Sequence, residues 1–325
     1  MNEISLKEYE TVRGNGAGFY EQKRGLIEVS GAEAVMFLNG LITNDVKTLA
    51  ESSSMLAAFP NAQGRLLAAV RVLKIEDKFI FETEAETYEK VLQNLSRFTL
   101  AGDFKVQDLT EEFSCVSIRS DSVQSSKFAV QGFGFPTSET EATTNVFDGE
   151  NVFVIRAFRA NGFDVFVPKI SKESFTDELK NLSAVEIGEE TREVLRVENG
   201  EPKYGADMSE ATIVPELGID NLISYNKGCY IGQEIIARIH FRGHVAKKLT
   251  GIVLEENVVL DGNEEIKSSD GKNAGRITST VLSPKLGKQI ALAYVRYDYL
   301  AEGTELKVNE TIAKVKNLPF VENLI

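Results

Sequence analysis

The sequence predicts an α+β protein that ends in an all-β part, and three observations carry that prediction. Apolar alternation and helical periodicity interchange between residue 24 and about residue 197. Beyond Lys248 the chain reads almost wholly as short strands, divided at Asp261-Gly262, Asp270-Gly271, Pro284 and Glu302-Gly303. Its 325 residues exceed what one ordinary core needs, so two or three domains are expected.

Residues 24–29 read as a strand. Ser30-Gly31-Ala32-Glu33 then has capping-box spacing, and Ala34, Phe37, Leu38, Leu41 and Ile42 share one helical face. A helix is therefore expected to about Leu41, ended by Thr43-Asn44-Asp45. Strands follow at 56–59, 65–75 and 79–82, with turns at 60–64 and at Glu76-Asp77. The next helix carries Tyr88, Val91, Leu92, Leu95 and Phe98 on one stripe. This succession suggests helices laid on an antiparallel sheet.

A strand at 113–119 would set Cys115 among apolar neighbours, the setting of an inert buried thiol. Residues 136–144, rich in Ser, Thr and Glu, read as a surface loop. Strands at 152–158 and 163–167 flank Asn161-Gly162, a hairpin signal. Ser171 is placed to cap a short helix with Phe175, Leu179 and Leu182, and another helix at 189–197 is stopped by Asn199-Gly200. The tail strands are expected at 249–254, 265–268, 275–282, 290–296 and 305–315, making a small β-barrel.

With 36 basic and 49 acidic residues, the net charge is −13 and the pI near 4.9. Such acidity disfavours a general polyanion binder, which needs many Lys and Arg contacts to phosphates, but leaves room for a local anion site. No run approaches the roughly 18 apolar residues of a membrane helix, and the first residues lack a signal-peptide pattern. The two cysteines, Cys115 and Cys229, do not make a disulfide framework. A soluble protein of the reducing cytoplasm is expected, with no membrane partner.

The scarce reactive groups gather in residues 226–249. That stretch holds Cys229, both histidines (His240 and His244), and Lys227, Arg238, Arg242, Lys247 and Lys248 against the single acid Glu234. Cys229 precedes a helix expected at 233–239, and that helix start together with Lys227 would favour a thiolate. A functional thiol and a structural cysteine both remain open. The four-residue His spacing admits a metal site, but a helix ending near Ile239 would keep the two rings off one face, so metal is the weaker reading. A Cys/His hydrolase would need an imidazole aimed at the sulfur and an oxyanion hole. Glu198, at the negative end of its helix, is by charge alone a solvated glutamate; the sharper alternative is a carboxylate kept to accept two parallel N–H donors.

The run Lys227-Gly228-Cys229-Tyr230-Ile231-Gly232-Gln233-Glu234 resembles the signature of YgfZ-type proteins, in the folate-binding superfamily of the glycine-cleavage T-protein. Residues 39–46, 61–65, 196–200 with Tyr204-Gly205 and Asp207-Met208, and 238–249 resemble further family motifs, in family order. The resemblance implies a three-domain cloverleaf around a tetrahydrofolate channel. Residues 1–49 and 111–212 would form a first, folate-binding α+β domain, 50–110 and 213–246 a second, and 247–325 the barrel. It also implies that Glu198 holds the pterin, with Asn44, Tyr204, Lys227 and Arg242 as further cofactor-binding residues and Cys229 as the functional thiol.

One departure stands out. T-proteins carry an acidic pair, required for aminomethyl transfer, where this chain has Ala68 and Ala69. Alanine can neither take a proton nor stabilise a developing cation. The resemblance therefore implies a tetrahydrofolate-binding accessory factor for iron–sulfur cluster assembly or repair in client proteins, with an indirect effect on tRNA thiomethylation. In that role Cys229 could be a transient cluster ligand, a soft thiolate suited to iron, with other ligands supplied by the partner. A folate-dependent one-carbon transferase and a direct tRNA-binding factor, stacking bases on Tyr225, Tyr230 and Phe241, are the rival expectations.

Overall fold

The structure, a computed structural model, describes residues 1–97, 99–100, 102–121 and 133–321. Phe98, expected on a helical stripe, lies outside the described residues. The elements are α1 (Glu3–Arg13), β1 (Gly18–Gln22), β2 (Arg24–Ser30), α2 (Ala34–Leu41), β3 (Ser53–Pro60), β4 (Leu66–Ile75), β5 (Lys78–Glu84), α3 (Tyr88–Ser96), β6 (Lys105–Asp108) and β7 (Phe113–Arg119). There follow β8 (Ala142–Phe147), β9 (Glu150–Arg156), β10 (Gly162–Pro168), α4 (Lys172–Asn181), β11 (Val185–Glu186), α5 (Glu189–Asn199) and α6 (Gln233–Arg242). The tail supplies β12 (Lys247–Leu254), β13 (Glu265–Ser268), β14 (Asn273–Ser283), β15 (Lys288–Arg296), β16 (Glu305–Val308) and β17 (Thr311–Lys316).

The strands make two open sheets, ordered β11-β1-β7-β10-β9-β8 and β3-β4-β5-β2-β6, and a closed barrel β12-β15-β14-β13-β16-β17. The expected α+β architecture with a C-terminal barrel is what forms. Apolar residues on both faces of the strands explain how the sheets stack. Leu26, Leu73 and Ile80 of the second sheet meet Cys115, Ile155 and Phe166 of the first in one buried cluster. The opposite face of the second sheet (Ile27, Val29, Val70, Phe81) is covered by Leu38 of α2 and Val91 and Leu95 of α3. Cys115 is buried between the sheets, and that burial pushes its thiol pKa up. Alanines 291, 293 and 313 let the narrow barrel close around Ile252, Val295 and Val308.

The chain leaves the first sheet after β1, builds all of the second sheet, and returns at β7. The division expected at residue 49 thus falls between α2 and β3, whose residues share one core. Several local expectations need correction. Ser30 does not form a capping box, because β2 continues through it to pair Ser30 with Lys105 of β6. Glu33 instead accepts the Asp103 N–H at 2.8 Å, with no side-chain cap on α2. Ser171 stands at the N-cap position of α4 without donating or accepting a cap bond. The span 305–315 is two strands, turned at Asn309 (φ 52°), so that Val308 faces Thr311. The helix carrying His240 runs to Arg242 and stops at Gly243 (φ +94°), one turn beyond the expected end at 239. Elements α1, β1, β6 and β11 carry no sequence signal strong enough to have been expected, and β8 begins inside the expected loop 136–144.

No described helix is long and apolar enough to cross a membrane.

Candidate functional site

A cavity of about 490 Å³ opens where the two sheets meet α5 and the segment after it. Leu56, Leu195, Met208, Ile219 and Leu222 form its apolar wall. Its polar floor is an ion network that joins the sheets. Arg71 on β4 binds Glu82 on β5 at 2.6 Å and Asp164 on β10 at 2.7 Å. Arg24 closes on the other Glu82 oxygen at 2.5 Å, Arg119 reaches Asp164 at 3.0 Å, and Ser117 donates to it at 2.7 Å. Burial opposes the charge on Asp164, but Arg119 and Arg71 outweigh it and hold that carboxyl well below its usual range. The network leaves Glu82 and Asp164 engaged with guanidinium groups.

Two other carboxylates of the wall are far less committed. Glu84 accepts the Tyr204 N–H at 3.0 Å, and Glu201 accepts from the Asn199 side chain at 3.0 Å. Burial pushes both pKa values up, against the pull of Arg24 on Glu84 and of Arg119 on Glu201. Beside Glu201, the Tyr20 ring lies 5.5 Å from the Arg119 guanidinium and 4.9 Å from that of Arg192.

The alanine pair divides between wall and core. Ala69 lines the cavity, opposite Ala58 in the β3–β4 ladder. Ala68, one residue earlier and so on the other face of β4, is wholly buried in the core of the second sheet.

Glu198 is neither solvated nor on the cavity wall. It is 0 % exposed at the C-terminal turn of α5. Arg13 of α1 binds it through Nη2 at 2.5 Å and Nε at 3.1 Å, while Tyr9 donates at 2.8 Å and Ser283 of β14 at 2.5 Å. The expectation of a solvated glutamate fails because α1, which charge counting near α5 cannot anticipate, brings a buried cation to it. This knot ties α1, α5 and the barrel together.

Lys227 is likewise a staple. Its ammonium donates to the carbonyls of Ile42 at 2.8 Å and Asn44 at 2.5 Å, with Asn39 Oδ1 at 3.5 Å. Burial lowers its pKa to about 8, and those acceptors hold the charge that burial disfavours. Asn44 donates to the carbonyls of Leu56 and Asn221 at 2.8 and 2.7 Å. Both residues therefore fasten the loop after α2 to the segment before α6. Tyr204 sits by the cavity through its backbone bond to Glu84, and its hydroxyl receives Lys90 Nζ at 3.2 Å. Arg242 is exposed at the end of α6, and Cys229 is exposed on the turn before it. None of Glu198, Asn44, Tyr204, Lys227, Cys229 or Arg242 lines the cavity.

The histidines line a second cavity, of about 300 Å³. His240 stacks on Tyr225 with ring centres 3.7 Å apart, and His244 on Tyr297 at 3.8 Å. No group of three or more His, Cys, Asp or Glu among the described residues could hold a metal ion. The cavity residues Tyr20, Arg24, Glu84, Arg119 and Glu201 were missed by motif reading; the one signal available was charge inside apolar strands, as at Arg71, Glu82 and Asp164.

The family pattern described as the GCVT N-terminal domain matches residues 1–227, and the glycine cleavage T-protein C-terminal barrel domain matches residues 247–321. The chain belongs to the glycine-cleavage T-protein family. It is 28% identical over 319 residues to an aminomethyltransferase of Rubrobacter xylanophilus, covering 96% of this chain and 85% of that protein. An aminomethyltransferase of Thermotoga neapolitana is 28% identical over 303 residues, covering 89% and 81%. The crystal structure of glycine cleavage system aminomethyltransferase T from Bartonella henselae superposes with a TM-score of 0.85 at 21% identity, covering 98% of this chain and 90% of that one. That likeness shows the T-protein fold.

Proposed function

We propose that this T-protein family member binds a reduced folate in the cavity between its sheets and does not transfer aminomethyl groups. The observation that carries this is Ala69. The family resemblance asks for a carboxylic acid at this position, and here a methyl group faces the cavity. The neighbouring carboxylates Asp164 and Glu82 are engaged by arginines and are poor substitutes for a free acid.

The cavity suits a folate. Its volume lies within the range of roughly 300–1,000 Å³ common for small-molecule sites. A pterin has an N–H and an amino group side by side, a benzoyl ring, and a carboxylate tail. The wall answers with carboxylates that keep acceptor capacity, an apolar side, and the cations Lys23, Arg192 and Lys203.

On this reading the chain is a YgfZ-type accessory factor for assembly or repair of iron–sulfur clusters in client proteins, and any influence on tRNA thiomethylation runs through a client. The exposed Cys229 is its functional thiol. A single thiolate cannot hold a cluster, so a client would supply the remaining ligands. The rival reading as a one-carbon transferase with Cys229 as nucleophile is disfavoured, since Cys229 is not among the residues of the cavity wall. No feature of the site favours direct tRNA binding over client binding.

Two assays test the proposal. Purified protein given tetrahydrofolate and an aminomethyl-loaded carrier should form no methylenetetrahydrofolate; turnover there would overturn it. In cells lacking the chain, wild type should restore a client iron–sulfur enzyme and Cys229→Ser should not. Full restoration by Cys229→Ser would end the thiol role.

A further inference from the structure

Helix α6 is thinly packed. Only Ile236 of its ten residues is buried, although a helix this short draws most of its stability from packing. Its inner side rests on the turn between β3 and β4, where a side chain at Gly64 would meet Ile235 and Ile236. Arg238, Phe241 and Arg242 share the outer face at helical spacing, and Phe241 is 83 % exposed.

This face runs into the second cavity. Phe241 packs edge-on against His240 with ring centres 5.5 Å apart, and His240 stacks on Tyr225. His244, also on the wall, stacks on the exposed Tyr297. Pro215, Ile223, Ile239 and Val245 give the groove an apolar lining. An apolar surface of this kind with a charged rim is the composition of a protein interface.

Charge selects the occupant. From α6 to the start of β12, Arg238, Arg242, Lys247 and Lys248 stand against Glu234 alone, on a chain of net charge −13. Glu234 is taken by Arg238 at 2.8 Å, and Lys247 lies 4.0 Å from Glu216. Arg242 and Lys248 make no ion pair with a described residue. Lys248 borders the groove, with its stem laid across Gly218 so closely that a side chain there would collide with it. An acidic partner is drawn to this face and repelled by the acidic remainder of the surface. A phosphate backbone would need more cations than these, and Asp220 on the groove wall opposes it.

We propose that the outer face of α6 and the groove beside it are the docking surface for an acidic protein, the client that Cys229 serves. The inference rests on the client reading above and says where the client sits. Phe241 is the anchor, an exposed aromatic flanked by arginine in the manner of an interface hot spot. Cys229 lies on the turn before α6 and the groove at its far end. A ten-residue helix spans about 15 Å, so an interface of ordinary size, about 800 Å² on each partner, covers both.

The test is the cell assay above, run with Phe241→Asp, Lys248→Glu and Lys248→Arg, none of which alters the wall of the folate cavity. Phe241→Asp and Lys248→Glu should each cut the restored client activity by about tenfold or more, and Lys248→Arg should stay within about threefold of the wild type. The purified variants should keep the wild-type urea midpoint and tetrahydrofolate affinity, so that the loss reports docking rather than folding. Full restoration by Phe241→Asp and Lys248→Glu overturns the inference and leaves the thiol reading standing. A loss that Lys248→Arg shares, or that accompanies a lowered urea midpoint, overturns it as well. No restoration by the wild type overturns both.

Titration of unfractionated tRNA at physiological salt separates the other macromolecular occupant. The wild type should show no saturable binding. Binding by the wild type that Lys248→Glu abolishes would make this a nucleic-acid surface and overturn the assignment to a protein.

Discussion

Glu198 and Glu201 lie three residues apart and meet opposite fates. Glu198 is still helical, wholly buried, and closed by one guanidinium and two hydroxyls. Glu201, past the turn at Gly200, faces the cavity with one modest partner. A saturated buried carboxylate holds the fold together; an unsaturated one at a cavity wall is available to a ligand. The same contrast separates Ala68 from Ala69, and Lys227 from Cys229.

The largest effect should come from breaking the closed member of the first pair. Glu198→Ala leaves the buried Arg13 guanidinium with Asp121 as its remaining carboxylate partner, and loss of one partner from a buried pair costs about 3–5 kcal/mol. Urea unfolding should show that loss, while Glu201→Gln should lower stability by no more than about 1 kcal/mol. Equal stability losses would erase the distinction.

The alanine pair should follow the same rule. Ala68→Asp forces a carboxyl into an apolar core and should cost about 3 kcal/mol or more. Ala69→Asp sets it on the cavity wall and should cost about 1 kcal/mol. The difference would appear as separate urea midpoints.

Lys227→Met removes an ammonium from two backbone carbonyls and should cost about 2 kcal/mol, with faster proteolysis of the turn before α6. Cys229→Ser, on the exposed part of that same turn, should leave stability within about 0.5 kcal/mol of the wild type. A large loss from Cys229→Ser would make the cysteine structural.

Long periodic elements were legible in the sequence: β4, β5, α3, β7 and the barrel strands β12 to β15 follow from apolar pattern and turn residues. Short elements completed by distant partners were not. The pairs of β6 with β2 and of β11 with β1 have ladder partners some 80 and 170 residues away, which local pattern cannot reveal. Among site residues, the sequence read Glu198 by charge as a solvated glutamate, and could not tell a ligand contact from a staple at Glu198 or Lys227. That outcome depends on Arg13 and on the carbonyls of Ile42 and Asn44, all more than 180 residues away in sequence. Ala69 was legible as a missing acid; that it faces a cavity required the two sheets to be in place.

The most direct test of the central claim is anaerobic titration of tetrahydrofolate into the wild type and Ala69→Phe. The aromatic ring would project from the β4 wall into the space the folate needs. Saturable one-to-one binding by the wild type, lost in a folded Ala69→Phe, is the predicted result. No binding by the wild type, or equal binding by both, would contradict a folate site between the sheets.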